Sequence, residues 1–429
     1  MEGKGDLFMV KCTSASHKTK IKIAVVTAVI IYMLIPSQAL GRALPKPSKP
    51  QPVPVKNSSR KSVTLRTMAR IHLAVADYDQ AQVLAEQALS VAQKTNADDA
   101  ELAYCLIDLA YLYNCRGNLE QAEKMCGLGL KLQQKIYYPK HPYLAYTLRI
   151  LSDIYRGQGK YQQANETLDS AFEIMLDSHL PNDKSMTQFY IDRGNLLAAQ
   201  GQFADAQDCY TKARTLIKQV YKEDHLYNVN LMLSQARLYL ATEQFALAEE
   251  PANNALAIQQ KIYGQQHCLL APTWLVLADI ARAQGRTSQA EQLLQSALDS
   301  VKQKQGDSNP LAADALSALG MIYLADGKYA EAEQACTRAV EVFESTVGCE
   351  SDQTAMAVNN LARLYIHQGK LAQAQILCDR ALDTLESMFD DNHPSLTEVR
   401  KTIAQLNYKL TAETEIAKAE QASANITSR

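Results

Sequence analysis

Glycine and proline are scarce, 17 and 13 of 429 residues, which excludes an all-β chain built on many tight turns. The sequence has no glycine-rich phosphate loop, no nucleophile elbow, no Cys-x-x-Cys pair and no HExxH. The usual sequence signatures of nucleotide, acyl-transfer, redox and zinc-hydrolase chemistry are thus missing. A basic stripe is also missing from the body. Residues 1–66 hold twelve Lys/Arg against two Asp/Glu, leaving 32 against 44 for the rest. An acidic body cannot neutralise a phosphate backbone, so no nucleic-acid partner is expected. No apolar run reaches the ~20 residues of a spanning helix; the longest lies near the N-terminus.

That run, Ile23–Ile35, follows a polar, basic lead carrying Lys4, Lys11, Lys18, Lys20 and Lys22. Pro36 and the small-residue pattern Ser37-Gln38-Ala39 come next. The order reads as a signal peptide over residues 1–39, with an uncleaved membrane anchor as the alternative. Either way the body is expected outside the cytoplasm, secreted, periplasmic or membrane-anchored, with this segment bringing it close to a membrane. Residues 40–61 are rich in proline and lysine and poor in large apolar residues. Such a composition forms a linker, not a core.

From residue 62 onward the chain is periodic. Ala81, Ala122, Ala164, Ala206, Ala248, Ala290, Ala332 and Ala374 are spaced 41 residues once and then 42 six times. Each anchor alanine closes a phrase such as GNLEQA, GKYQQA or GKLAQA, and glycine opens six of the eight phrases. Twelve residues before each anchor stands a small residue: Ala69, Ala110, Ser152, Gly194, Ala236, Ala278, Gly320 and Ala362. Seven residues after it stands another: Ala88, Gly129, Ala171, Ala213, Ala255, Ala297, Ala339 and Ala381.

Antiparallel helices approach closely only where the facing side chains are small. The first small residue belongs to helix A of a hairpin and the anchor to helix B, so the hairpin closes there. The third small residue, two turns along helix B, is expected to admit helix A of the next hairpin. Leucines and tyrosines at helical spacing fill the remaining gaps. No single hairpin buries such a face, so stability has to come from stacking. The fold expected is all-α: eight hairpins over residues 62–394, a capping helix over 395–418 and a disordered tail over 419–429.

On these phrases, and on MAVNNLARLYIHQGKLAQAQ and HPYLAYTLRILSDIYRGQGKYQQA in particular, the chain resembles the tetratricopeptide repeat (TPR) family, in the 42-residue variety of kinesin light chains. The resemblance covers about residues 62–418. It implies a superhelical solenoid whose A helices line a concave groove for peptides or partner helices. The coiled coil that precedes the repeats in kinesin light chains is absent, so motor binding is not implied.

Histidine and cysteine follow the repeat too. His141, His225, His267 and His393 fall nineteen residues after an anchor, where Asp183 and Asn309 stand in other repeats. That pattern points to helix capping and away from a metal site. Cys126, Cys336 and Cys378 share one position four residues after the anchor and read as small core hydrophobes. Trp274 falls on helix A and reads as core. Neither a catalytic group nor a cofactor or metal site is expected.

The expected function is therefore a scaffold that binds a partner protein or extended peptide in the groove. The alternative is an enzyme or regulatory subunit with a site between repeat helices. Eleven residues before each anchor stand Arg70, Tyr111, Asp153, Asn195, Arg237, Asp279, Met321 and Arg363. Seven of these eight can hydrogen-bond, so the row is expected to face solvent along the groove. Tyr104, Asp108, Arg149 and Arg156 thicken it in repeats two and three, and Asn359 and Asn360 in repeat eight. Repeats four and five deviate most. Arg193 and Gln235 replace the core leucine, Arg214 follows Ala213, and Pro251 falls in helix B.

Overall fold

The computed structural model describes residues 57–74, 77–177, 184–220, 226–305, 309–389, 391 and 393–427. The expected signal peptide or anchor and most of the expected linker lie outside these residues. So do His225 and Asp183.

Seventeen α-helices and no strand occur among the described residues. Eight hairpins pair α1 (Asn57–Ala74) with α2 (Tyr78–Lys94), α3 (Asp99–Cys115) with α4 (Leu119–Ile136), α5 (Pro142–Gly157) with α6 (Tyr161–Asp177), and α7 (Lys184–Ala199) with α8 (Phe203–Val220). They continue with α9 (Leu226–Ala241) and α10 (Phe245–Tyr263), then α11 (Ala271–Ala283) and α12 (Thr287–Gln305). The last two are α13 (Pro310–Ala325) with α14 (Tyr329–Thr346) and α15 (Asp352–His367) with α16 (Leu371–Met388), closed by α17 (Pro394–Thr427). Two boundaries differ from expectation. Helix α1 already starts at Asn57, inside the expected linker, and α17 runs on through the expected tail to Thr427. The stretch TAETEIAKAEQASAN holds no glycine or proline and several strong helix formers, so no residue in it ends the helix.

The ends of the helices are chemically specified. Asp98 Oδ1 accepts the Glu101 amide at 2.8 Å and Ser351 Oγ the Thr354 amide at 3.2 Å. The histidine position is a cap, as its alternation with asparagine implied. Nδ1 of His141, His267 and His393 accepts the amide two residues on, each at 3.2 Å. Asn309 Oδ1 does the same at 2.9 Å. Pro142, Pro310 and Pro394 stand at the first position of their helices, where the missing N–H costs nothing. Between helices A and B, glycine adopts a positive φ, from Gly117 to Gly369. Glu243 takes that place in repeat five at φ 58°, a conformation that costs a side-chain-bearing residue ~1 kcal/mol.

The hairpins close at the anchor alanines, every one no more than 1 % exposed. Ser152 Oγ even donates to the carbonyl of Ala164 at 2.8 Å. At two hairpins the small residue on helix A is a glycine pressed against the side chain four residues after the anchor. A Cβ on Gly194 would stand 2.4 Å from the ring of Tyr210, and one on Gly320 would stand 2.3 Å from Cys336 Sγ. Glycine therefore faces tyrosine or cysteine, while Ser152 and Ala278 stand where leucine follows. Cys126, Cys336 and Cys378 are buried, and burial pushes their thiols up, to about 12, 11 and 11. They behave as core hydrophobes. Trp274 lies in the core of repeats six and seven. The third small residue departs from expectation at Gly129. Its nearest neighbour is Ile107 of its own hairpin, 2.8 Å from where a Cβ would be.

The irregular middle repeats are compensated pairwise. Arg214 Nη2 donates to Gln235 Oε1 at 2.6 Å, so the oxygen of the buried Gln235 amide is met across the repeat boundary. Arg193 pairs with Asp169 at 2.8 Å and lies over the Phe172 ring. Pro251 is the seventh residue of α10, beyond the first turn. It leaves the Leu247 carbonyl without its helical donor, at a residue 53 % exposed and so open to water.

The volume trade between Gly194 and Tyr210 is directly testable. Gly194→Ala should destabilise the fold by about 1–3 kcal/mol in chemical denaturation, because added bulk in a packed crossing forces a shift. Adding Tyr210→Leu should restore most of that loss, reproducing the Ala278 and Leu294 arrangement. A single variant as stable as the parent would mean the crossing is not close-packed.

Candidate functional site

The odd-numbered helices form the inner wall. Each touches the next odd-numbered helix, whereas successive even-numbered helices make no comparable contact among the described residues. The odd set therefore follows the shorter, concave curve. None of the eight row residues is buried: Tyr111 and Arg237 are exposed and the others partly so.

Exposure does not make them all available. In the first four repeats the charges bind one another across repeat boundaries. Arg66, 8 % exposed, reaches Asp108 Oδ2 at 2.8 Å and Glu101 Oε2 at 2.9 Å. Arg70 joins Asp108 at 2.7 Å. Burial opposes ionisation of Asp108, but Arg70 and Arg66 outweigh it and hold the carboxyl below its ordinary range. Asn114 donates to Asp153 at 2.7 Å, and Arg156 meets the same carboxylate at 2.6 Å. Arg149 pairs with Asp192 at 2.8 Å. There burial dominates and Asp192 stays raised despite the arginine.

These rungs correct part of the expected site. Asp108, Arg149 and Asp153 are committed to neighbouring repeats, and Arg156 to Asp153 on its own helix. Tyr104 is half-buried, bonded through its hydroxyl to that of Tyr137 at 3.1 Å and covered by the Arg66 guanidinium. Asn360 donates to Ser317 at 3.0 Å. Asn359 is fully buried, and neither end of its amide has a partner. Its place fifteen residues before the anchor holds Ile107, Ile191, Leu233 and Leu275 in four repeats and Arg66, Arg149 and Ser317 in the other three; in repeat eight it is used for packing.

Repeats five to seven differ. Arg237 on α9 and Asp314 on α13 make no hydrogen bond or ion pair among the described residues, and Asp279 on α11 has only a 3.5 Å contact to Arg282 on its own helix. Although the Arg237 side chain reaches solvent, desolvation by the surrounding groove wall first, and then Arg156, lowers its pKa. Burial first, then Asp279, pushes the Asp314 carboxyl up to about 7, against the pull of Arg237. These charges come from α5, α9, α11 and α13; Arg156 and Arg237 lie two repeats apart, as do Arg237 and Asp314, with Asp279 between them. They act on one another because the concave surface turns them toward a common space. Asp314 was missed in the sequence, although it lies seven residues, two helical turns, before Met321 on the face of the row. Tyr210 was missed too: its hydroxyl donates to Asn195 at 2.8 Å and holds that amide in the wall.

A sequence model described as tetratricopeptide repeat matches residues 60–125, 105–177, 186–261, 269–345 and 311–375, well over half of the chain. No curated protein matches significantly. Among solved structures, a Rap protein complexed with competence and sporulation factor is similar at 19% identity, covering 75% of this chain and 90% of that one, with a TM-score of 0.52. NprR in complex with its cognate peptide NprX is similar at 19% identity, covering 72% and 84%, with a TM-score of 0.48. The nearly identical TPR-like repeats of a Podosopora anserina protein named as a kinesin light chain are 21% identical, covering 49% and 100%, with a TM-score of 0.37.

The raised carboxyl has a consequence for stability. Folded Asp314 holds its proton to about pH 7, whereas the ordinary value is 3.8. Its contribution to stability is full below pH ~4 and is lost as pH rises through ~7. Asp314→Asn should remove that slope. Melting temperatures of parent and variant should diverge between pH 5 and 8, with the parent falling relative to the variant. Parallel curves would place the titration elsewhere.

Proposed function

The chain belongs to the tetratricopeptide repeat family, and we propose that it is a non-catalytic scaffold whose concave wall holds an extended peptide or a segment of a partner protein. One observation carries this reading: among the described residues Arg237, Asp279 and Asp314 face the groove with no hydrogen bond or ion pair outside their own helix, while the inner charges of repeats one to four mostly pair with one another. A partly desolvated charge left unpaired is costly, and a ligand that pairs it recovers that cost. Repeats spaced 8–10 Å apart match about three residues of extended chain each. The ligand chemistry that fits is a peptide with an acidic group toward Arg237 and a basic group toward Asp279 and Asp314. That a Rap protein of this fold is complexed with competence and sporulation factor supports a binding role and leaves this chain's ligand open.

The groove reading is tested with a peptide selected against the protein from a displayed library. The combination Arg237→Ala, Asp279→Asn and Asp314→Asn should weaken its binding at least tenfold, about 1.4 kcal/mol, with helix content unchanged. Arg149 is left intact because its loss would orphan Asp192. If the triple variant binds as tightly as the parent, the ligand sits elsewhere and the convex face is next.

For location, the basic lead, the apolar run Ile23–Ile35 and Ser37-Gln38-Ala39 support export of the repeats, secreted or tethered. No helix among the described residues is long and apolar enough to cross a membrane. Expression in a bacterial host followed by fractionation and mass measurement should find the repeats outside the cytoplasm, either starting at Leu40 or held in the membrane fraction. Full-length chain in the cytoplasm would refute export.

A further inference from the structure

Six hairpins carry a left-handed glycine five residues before the anchor: Gly117, Gly159, Gly201, Gly285, Gly327 and Gly369. At the last four of these, a Cβ would meet nothing within 4 Å. Backbone conformation alone accounts for glycine there. The first two are different. A Cβ on Gly117 would stand 3.0 Å from Val347 Cγ1 and 3.4 Å from Gln353 Nε2. One on Gly159 would stand 2.1 Å from the Phe389 ring.

These partners are more than 200 residues away along the chain, and their placement is regular. The turn of repeat two meets the entrance of repeat eight. The turn of repeat three meets the entrance of α17, which stands where a ninth repeat would begin. Both offsets are six repeats, so six repeats complete one turn of the superhelix, and the second turn rests on the first.

The contact at Gly159 is built from rings. Tyr161 stacks on His393 with centroids 6.0 Å apart at 15°, and His393 stacks on Phe389 at 3.7 Å and 9°. The imidazole is fixed in that plane because its Nδ1 accepts the Ser395 amide. Asp352, at the start of α15, acts electrostatically on both Tyr161 and His393. Phe389 is 7 % exposed, sealed by residues from both turns.

We infer that this contact is a clasp that closes the concave groove along its side into a channel, so that a ligand enters through an open end or by release of the clasp. The clasp stands on geometry and does not depend on what the groove binds. Its footprint is a few side chains, small beside the helix-on-helix packing within the array, so it is the joint that opens at least cost.

The glycines supply their own control. In the full chain, Gly159→Asn keeps a residue that tolerates the left-handed conformation while adding a side chain where the Phe389 ring lies. Gly201→Asn makes the same change where nothing is near. Gly159→Asn should speed amide exchange at Phe389 and Leu396 at least tenfold and lengthen the particle in small-angle scattering. Gly201→Asn should do neither. Tyr161→Ser, which leaves the glycine turn intact, should shift both readouts in the same direction as Gly159→Asn. If Gly159→Asn and Gly201→Asn behave alike and Tyr161→Ser leaves exchange at Phe389 unchanged, the two turns are not clasped.

Discussion

How closely two helices can approach at one crossing governs this molecule. In each hairpin the residue twelve before the anchor is small, and at Gly194 and Gly320 even a Cβ would collide with the side chain four residues after the anchor. Ala110 lies in one cluster with Cys126, and Gly194 faces Tyr210, so the bulkiest partner, a tyrosine ring, is met by glycine. Packing at this density tolerates little change in volume. The consequence is not only local. A solenoid accumulates the rotation of every repeat, and the second superhelical turn finds the first only if each crossing holds its spacing. The contact of Gly159 with Phe389, six repeats away, is the summed result of those crossings.

The second determinant is how the inner wall treats charge. Buried ion pairs are weak sources of net stability, since desolvation offsets most of the Coulomb gain. Their consistent effect is to make neighbours non-interchangeable. Arg66 fits opposite Asp108, and Arg149 opposite Asp192, with donor and acceptor 42 and 43 residues apart. An outer ladder does the same at the turns. Lys160 meets Glu123, Arg286 meets Glu249 and Lys370 meets Glu333, each 37 residues apart. These outer pairs are exposed and individually worth under ~1 kcal/mol. Between repeats five and seven the inner ladder is interrupted, and there the wall presents unspent charge, before Arg363 reaches Glu398 on α17 at 3.8 Å.

The architecture was legible in the sequence because small residues at fixed spacing report a local constraint, met inside every 42-residue unit. The histidine caps were legible for the same reason. The site was only partly legible. A row of polar residues shows that a face is wet, yet it does not say whether Arg149 reaches solvent or Asp192. That depends on the residue one repeat away. Comparing position fifteen of one repeat with position fourteen of the next would have revealed the complementary pairs. Asn359 misled because two adjacent asparagines were read together, although adjacent residues on a helix point about 100° apart. The clasp could not be read at all, since its partners are related by the superhelix and by no sequence period.

Softness and closure are linked by position. The deviations collect in repeats four and five: Gln235 inside the core with one amide end unpartnered, Pro251 within α10, and Glu243 in a glycine's conformation. Packing of each even helix on the following odd one is also thinnest from repeat three to repeat six among the described residues. In a nearest-neighbour array such a stretch yields first. It lies between the two halves of the clasp, about halfway around the superhelical turn. Parting the clasp requires flexure elsewhere in the turn, and flexure concentrates where packing is poorest. Arg237 sits on that soft stretch, while Asp314 sits on the well-packed repeats beyond it. On the proposed reading, a peptide paired to both would tie the soft stretch to the firm one and oppose the flexure that opens the channel. Binding and closure would then stabilise each other through the same few residues, without any contact between the ligand and the clasp.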